Sequence, residues 1–278
     1  MDLLQPRSAV GKVHAVFGEP NPLYERALSL HEMHAEKMGH PMFVLRKRLL
    51  PGLWSKPAYI LSIILKEMAK PREQQLEWLL WVDADIVLMN PQIPLDVFIP
   101  PSPEFDDVNM LVTHDRHGLN NGCFLIRVSP WAIKLLSGVI AYHNFRPEVE
   151  LKYTEQSALE AMINDTYWGS SVVQVPQYWF NAYPSPLDKD RPPRKHEFRP
   201  GGLQIHFAGN RDGKRPERME TWMSIADKAV PPYDVPVEET SLPKEIEKFW
   251  KRLGTKRRRK AKVAEAAGGE GMEAGKGL

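Results

Sequence analysis

The sequence predicts an α/β domain. Short apolar runs with strand character recur along most of the chain, and segments with helical apolar spacing lie between them. Glycine, proline or a Ser/Thr cap marks most of the changes from one pattern to the other. Strands alternating with helices in this way build one sheet flanked by helices.

Val13 to Phe17 is the first strand. Leu23 to Met38 carries Leu23, Ala27, Leu30, Met33 and Met38 at helical spacing, and Gly39 stops it. Met42 to Leu45 is a second short strand. Ser55 is a cap candidate for a helix with Pro57 in its first turn and Ile60, Ile63, Ile64 and Met68 as its buried stripe; Pro71 ends it. Leu79 to Val82, Asn109 to Thr113 and Cys123 to Val128 are further strands. Ser129-Pro130 opens a helix from Trp131 to about Tyr142, and Thr154 caps one that starts with Glu155, Gln156 and Ser157. Val172 to Val175 and Leu203 to Phe207 are the last strand candidates, and Arg215 to Val230 the last amphipathic helix. The proline-rich stretches Pro184 to Pro200 and Pro231 to Pro243 read as a loop and a boundary. Beyond them Lys251 to Lys262 is strongly basic, and the Gly/Ala/Glu-rich end reads as disordered.

Composition excludes several classes. The formal net charge of the 278 residues is only +2, so the overall balance implies no specific nucleic-acid partner. A single cysteine, Cys123, rules out an intrachain disulfide or a cysteine-cluster metal site. No apolar run is long enough for a transmembrane helix, and MDLLQPRSAVGK lacks the apolar core of a signal peptide.

Chemistry concentrates where the strand Leu79 to Val82 ends in Asp83-Ala84-Asp85. Alternate residues of a strand share a face, so the two carboxylates point together if the extended geometry persists. The carboxyl end of a strand is where open α/β sheets bind ligands. Two hard oxygen donors there suit Mg²⁺ or Mn²⁺ holding a phosphorylated substrate. The same pair also occurs in solvated turns. An aspartyl-nucleophile phosphatase would want Ser or Thr two residues beyond Asp85, where this chain has Val87.

Other candidates each have two readings. His206 follows a strand and precedes Gly209, either as a ligand or as a strand-end histidine bonded to backbone. Arg211, with Lys214 as a weaker substitute, is a diphosphate contact or a solvated loop cation. Lys56 lies in a first helical turn, where anions are favoured. Asn120, Asn121 and Gly122 offer amide groups and close backbone approach to a sugar, or form a turn before the next strand. Trp54, Trp78 and Trp81 read as core rather than sugar platforms. His31 and His34, three apart on a helix, read as a packed or exposed face rather than a metal pair.

Several segments then agree on one resemblance. His31-Glu32-Met33-His34-Ala35, Trp54-Ser55-Lys56, Trp78 to Asp85, Leu119 to Arg127, Glu155-Gln156-Ser157-Ala158-Leu159 and His206-Phe207-Ala208-Gly209 occur in the order seen in family 34 glycosyltransferases. That family contains fungal α-galactosyl and α-mannosyl transferases and plant xyloglucan xylosyltransferases. The resemblance covers roughly residues 13 to 225. It departs from the usual pattern at Asn121, Val128, Glu155 and Asn210.

The resemblance implies a GT-A fold, an α/β nucleotide-sugar-binding sandwich around a single central mixed sheet flanked by helices. It implies a metal-dependent retaining transferase that moves a hexosyl residue, galactose or mannose, from a UDP- or GDP-sugar to an oligosaccharide or glycoprotein acceptor. Asp83, Asp85 and His206 would hold Mn²⁺ or Mg²⁺. Lys56, Asp83, Asn120, Asn121, Gly122 and Arg211 would contact the donor, and Glu155 and Gln156 would face the reacting sugar. Residues 1–12 are then an N-terminal segment, 13–230 the catalytic domain, and 231–278 a boundary, short helix and basic tail. A Golgi lumenal location and a homo- or hetero-oligomer fit the family, with a cytoplasmic, soluble protein as the alternative that the missing anchor and signal peptide leave open. The competing readings are a nucleotidyltransferase and a catalytically degenerate glycan-binding or scaffold protein.

Overall fold

In the computed structural model, residues 8–187 and 191–273 are described, with side chains through residue 264. The first seven residues of the N-terminal segment, residues 188–190 of the proline-rich loop and the last five of the tail lie outside the described residues. The chain begins as two parallel crossovers: β1 (Val10–Ala15), α1 (Pro22–Met38), β2 (Met42–Leu45), α2 (Ser55–Met68) and β3 (Trp78–Val82). Asn21 Oδ1 accepts from the Leu23 and Tyr24 amides to start α1. Gly39 closes it at φ 69°, a left-handed conformation that favours glycine.

After β3 come β4 (Ile86–Leu88), β5 (Met110–Asp115), β6 (Gly118–Arg127), α3 (Pro130–Phe145), α4 (Glu155–Ile163), the single turn α5 (Thr166–Gly169), β7 (Val172–Gln174), β8 (Gln204–His206), α6 (Arg215–Ala226) and α7 (Leu242–Glu273). The main sheet has the order β2-β1-β3-β6-β5-β7. Strands β1, β2 and β3 run parallel, β6 is antiparallel to both β3 and β5, and β7 is parallel to β5. The sheet is therefore mixed, with β6 reversed at its centre. Because β6 is reversed, its first residues lie beside the carboxyl end of β3: Val82 pairs with Cys123, and the Asp83 amide donates to the Gly122 carbonyl at 2.9 Å.

Alternation along β3 fills both sides of the sheet. Trp78, Leu80 and Val82 join the core under α1, β4, β8, α6 and α7, whereas Leu79 and Trp81 join the one under α2, α3 and α4. The three tryptophans follow the core reading, Trp78 and Trp81 being fully buried and Trp54 partly.

The structure differs from the sequence reading in four places. A second sheet, the ribbon β4-β8, lies apart from the central one. Asn120, Asn121 and Gly122 are inside β6, because the turn falls earlier, at Arg116-His117. Neither Ser55 nor Thr154 caps its helix. Ser55 instead fixes the preceding loop, its hydroxyl accepting from the Leu49 and Leu50 amides at 3.1 Å.

The fourth difference is the C-terminal region. Pro231 to Pro243 is not a boundary, and the basic run is not coil. Val237, Leu242, Ile246 and Trp250 bury themselves in the main core, Trp250 against Phe105 with ring centroids 4.7 Å apart. Helix α7 continues through the basic run, where Arg257 pairs with Asp107 at 2.8 Å and Arg258 with Glu104. Those carboxylates lie about 150 positions away in sequence, so local composition gave no sign of them.

Candidate functional site

The Asp83-Ala84-Asp85 motif is a turn, not a continued strand. The Ile86 amide closes it onto the Asp83 carbonyl at 3.2 Å, and β4 begins at once. The turn, rather than strand alternation, brings the two carboxylates to one side. Across the ribbon His206 is in register with Ile86, and the Phe207 amide donates to the Asp85 carbonyl at 2.9 Å. Oxygen and nitrogen atoms of Asp83, Asp85 and His206 lie within 4.8 Å of one another.

The donor set fits a hard divalent cation, and the imidazole orientation supports it. Asn181 donates from Nδ2 to Thr113 Oγ1 at 2.7 Å and to the Asn120 carbonyl at 3.2 Å, so its Oδ1 is left as an acceptor. That oxygen lies 2.7 Å from His206 Nδ1. Nδ1 therefore carries a proton, which turns Nε2 toward Asp85 Oδ1 at 3.4 Å. Gly122 makes room for this ring, since a Cβ there would lie 2.1 Å from His206 Cε1.

Two basic side chains balance the carboxylates. Lys56, almost fully buried, pairs with Asp83 at 2.9 Å and with Glu155 at 3.6 Å, and donates to the Asn121 carbonyl and Oδ1 at 3.2 Å. Burial opposes its charge, but Asp83 and Glu155 outweigh it and raise its pKa above the usual lysine value. Lys56 is thus no exposed first-turn lysine. Trp81 adds a ring 5.2 Å below the ammonium and an indole N–H to Asp83 at 2.6 Å.

Arg215, on the first turn of α6, reaches Asp85 at 3.3 Å and is steadied by the Gly209 carbonyl and the Tyr24 hydroxyl. Burial pushes the Asp85 pKa up; His206 and Arg215 outweigh that and hold it below the usual carboxylate range. Arg211, the arginine singled out in sequence, is exposed and makes no contact with the carboxylates, as is Lys214. Both lie on the loop before α6. Periodicity within α6 would have found Arg215 only if the helix start were known to face Asp85.

Asn121 and Asn120 are held tightly. The Asn121 amide donates to Gln156 Oε1 at 3.1 Å, and its Nδ2 to Glu155 Oε1 at 3.4 Å. Asn120 Nδ2 donates to Tyr183 Oη at 2.8 Å and to Asp115 at 3.1 Å, while its Oδ1 accepts from the Gly122 amide. Asp115 and Tyr183, which share a very short hydrogen bond, border this side of the site and carried no motif in the sequence. Glu155 departs from the expectation that it faces a sugar. It is 3 % exposed, with Oε1 turned to Lys56 and Asn121 and Oε2 accepting from Thr154 Oγ1 at 2.6 Å. Its neighbour Thr154 has φ 47° and ψ −118°, a strained conformation for a β-branched residue. Gln156 is only partly buried.

Comparison with known proteins agrees with this geometry. The family model described as the galactosyl transferase GMA12/MNN10 family matches residues 99–216. That match and the relatives below support membership of glycosyltransferase family 34. The match spans Asn120 to Gly122, Glu155, Gln156, His206 and Arg215 but not Asp83 or Asp85. Two curated proteins from Schizosaccharomyces pombe are similar. One is an uncharacterized alpha-1,2-galactosyltransferase, 24% identical over 65% of this chain and 61% of its own length. The other is a probable alpha-1,2-galactosyltransferase, 23% identical over 58% and 54%. The chain thus aligns with about three-fifths or less of each relative's length. Among solved structures, a glycosyltransferase involved in glycosylation of the major capsid of PBCV-1 is similar. It has 16% identity and a TM-score of 0.55, over 78% of this chain and 100% of the other. That likeness shows the GT-A fold expected of the family.

Proposed function

We propose that this chain is a family 34 transferase that moves a hexosyl residue from a nucleotide sugar to a glycan acceptor, with retention of α configuration. The convergence of Asp83, Asp85 and a correctly oriented His206 at the carboxyl edge of β3 carries this reading. Those three residues would hold Mn²⁺ or Mg²⁺. Such an ion supplies charge neutralisation to a diphosphate leaving group. The two similar Schizosaccharomyces pombe proteins, named as alpha-1,2-galactosyltransferases, support galactose as the sugar.

Breaking the bond between an anomeric carbon and a diphosphate builds negative charge on the phosphate. Arg215, tied to Asp85 and about one-fifth exposed, is the arginine placed to share that charge. Lys56 holds Asp83 and Asn121 in one arrangement, so the acidic turn and the start of β6 move as a unit. Glu155, buried behind it, is a positioning residue that balances Lys56. The partly buried side chain of Gln156 is the polar group placed to meet sugar hydroxyls, while the buried Asn120 and Asn121 are held by neighbouring side chains behind it. In a front-face reaction the departing phosphate oxygen takes the acceptor's proton, so no separate base is demanded. A nucleotide-sugar donor, an oligosaccharide or glycoprotein acceptor and a secretory-pathway location complete the proposal. No helix of the described residues is long and apolar enough to cross a membrane.

The direct test is transfer or hydrolysis assayed against UDP- and GDP-sugars with Mn²⁺. Activity with a UDP-hexose, abolished by Asp85→Ala and by His206→Ala in folded protein, supports the reading. Full activity in either variant would refute it.

A further inference from the structure

Behind the acidic turn lies a buried cation that the chemistry above does not use. Lys12 of β1 is 1 % exposed, and no carboxylate pairs with it among the described residues. Its ammonium has three N–H donors and meets three neutral acceptors: His31 Nδ1 at 3.0 Å, His34 Nδ1 at 3.0 Å and the His31 carbonyl at 3.2 Å. The far side of each imidazole is also held. His31 Nε2 lies 3.1 Å from the Ile86 carbonyl, and His34 Nε2 lies 2.9 Å from the Ile93 carbonyl.

A carbonyl only accepts, so each Nε2 carries the proton and each bare Nδ1 faces the ammonium. Lys12 thereby fixes the tautomer of both rings. Burial keeps both rings neutral, their pKa values lying well below the ordinary histidine value.

The two carbonyls differ in what they govern. Ile86 is the residue where the site's backbone is joined. Its amide closes the turn onto Asp83, it follows Asp85 directly, and it is in register with His206. Its carbonyl is buried and needs a donor, which His31 provides. Ile93 lies beyond β4, away from the three ligands. His31 and His34 thus have similar burial and the same Lys12 contact, but only His31 touches the peptide that carries the cation site.

We infer that His31 is a positioning residue for the cation site: with its tautomer set by Lys12, its Nε2–H holds the Ile86 carbonyl and so fixes the turn bearing Asp83 and Asp85. This inference rests on the reading of Asp83, Asp85 and His206 as cation ligands.

The test is the Mn²⁺ dissociation constant, read from the paramagnetic resonance signal of free Mn²⁺, with folding checked by circular dichroism and thermal midpoint. His31→Leu is expected to weaken Mn²⁺ binding about tenfold or more, the size of effect seen when support behind metal ligands is lost. His31→Gln keeps a donor near the Nε2 position and should restore affinity to within about threefold of wild type. His34→Leu should lower the thermal midpoint comparably but leave Mn²⁺ affinity within about twofold. Unchanged affinity in folded His31→Leu would overturn the inference, as would equal weakening in His34→Leu. Should the leucine variant not fold, His31→Asn is compared with His31→Gln. Asparagine can still accept from Lys12 but is too short for Ile86, so equal affinities overturn the inference. Failure of wild-type protein to bind Mn²⁺ would overturn the cation reading itself, and this inference with it.

Discussion

The imidazole of His206 occupies the place where residue 122 would carry a Cβ. A Cβ on Gly122 would lie 2.1 Å from Cε1 and 2.8 Å from both ring nitrogens. The Gly122 backbone cannot retreat, because its amide donates to Asn120 Oδ1 and its carbonyl accepts from the Asp83 amide. Gly122→Ala should therefore displace the ring, break its bond to Asn181 and weaken divalent-cation binding about tenfold or more. The accompanying loss of stability should be about 1–3 kcal/mol, typical of overpacking. Mn²⁺ titration beside denaturant unfolding checks both; unchanged cation affinity would show that His206 is not needed in this position.

Arg215 and Arg211 lie four residues apart, but only Arg215 reaches the carboxylates. Arg215→Met should lower kcat/KM for the donor about tenfold or more, in line with loss of a charge-assisted contact. Arg211→Met should change it less than about twofold. Steady-state kinetics on the two variants separate them, and the reverse ranking would return the diphosphate contact to the loop.

Stability should depend on pH in a direction set by the buried basic cluster. Burial, with Lys12 adding to it, lowers His14 to about 3, and burial lowers His40 to about 4. The unfolded chain protonates these rings near their ordinary value, so between about pH 6.5 and 3 it binds more protons than the folded one. Their contribution is complete above that window and is lost as the pH falls through it. Burial also lowers Lys12 to about 7. The unfolded state then binds the extra proton between about pH 7 and 10.5, so stability rises with pH there. Denaturant midpoints across both ranges check this, and Lys12→Met should flatten the alkaline rise while leaving the acid loss in place.

Helix α7 should be part of the fold and not an appendage. Trp250 is 3 % exposed and packs on Phe105 and Phe249. Trp250→Ala should cost about 3–5 kcal/mol. Breaking the exposed Arg257–Asp107 pair by Arg257→Ala should cost no more than about 1 kcal/mol. Equilibrium unfolding of both variants tests the ranking.

Much of this was legible in sequence where the determinants are local. The Ser129 cap, Gly39, the apolar stripes of α1 and α2 and the run ending in Asp83 follow from neighbouring residues. The grouping of Asp83, Asp85 and His206 was also readable, because a strand end, a two-residue spacing and a resemblance to one family converge on them. What sequence missed depends on contacts across the fold. Ile86 to Leu88 pairs with a strand more than a hundred positions later. Arg215 matters because α6 starts beside Asp85. Glu155 looks like a site carboxylate until Lys56 and Asn121 are seen to enclose it. The basic run of α7 looks solvated until Glu104 and Asp107 arrive opposite it. His31 and His34 read as a packed or exposed face, and only the structure shows that they are packed, with Lys12 between them.

Nucleotide binding measured with and without divalent cation tests the central claim most directly. UDP and GDP are titrated into the full chain by calorimetry, first with Mn²⁺ and then with chelator, for wild type and Asp85→Asn. The account predicts that one of the nucleotides binds in the presence of Mn²⁺ and that chelation or Asp85→Asn weakens it about tenfold or more. Equal binding with and without the cation, or full Mn²⁺-dependent binding in Asp85→Asn, would contradict it.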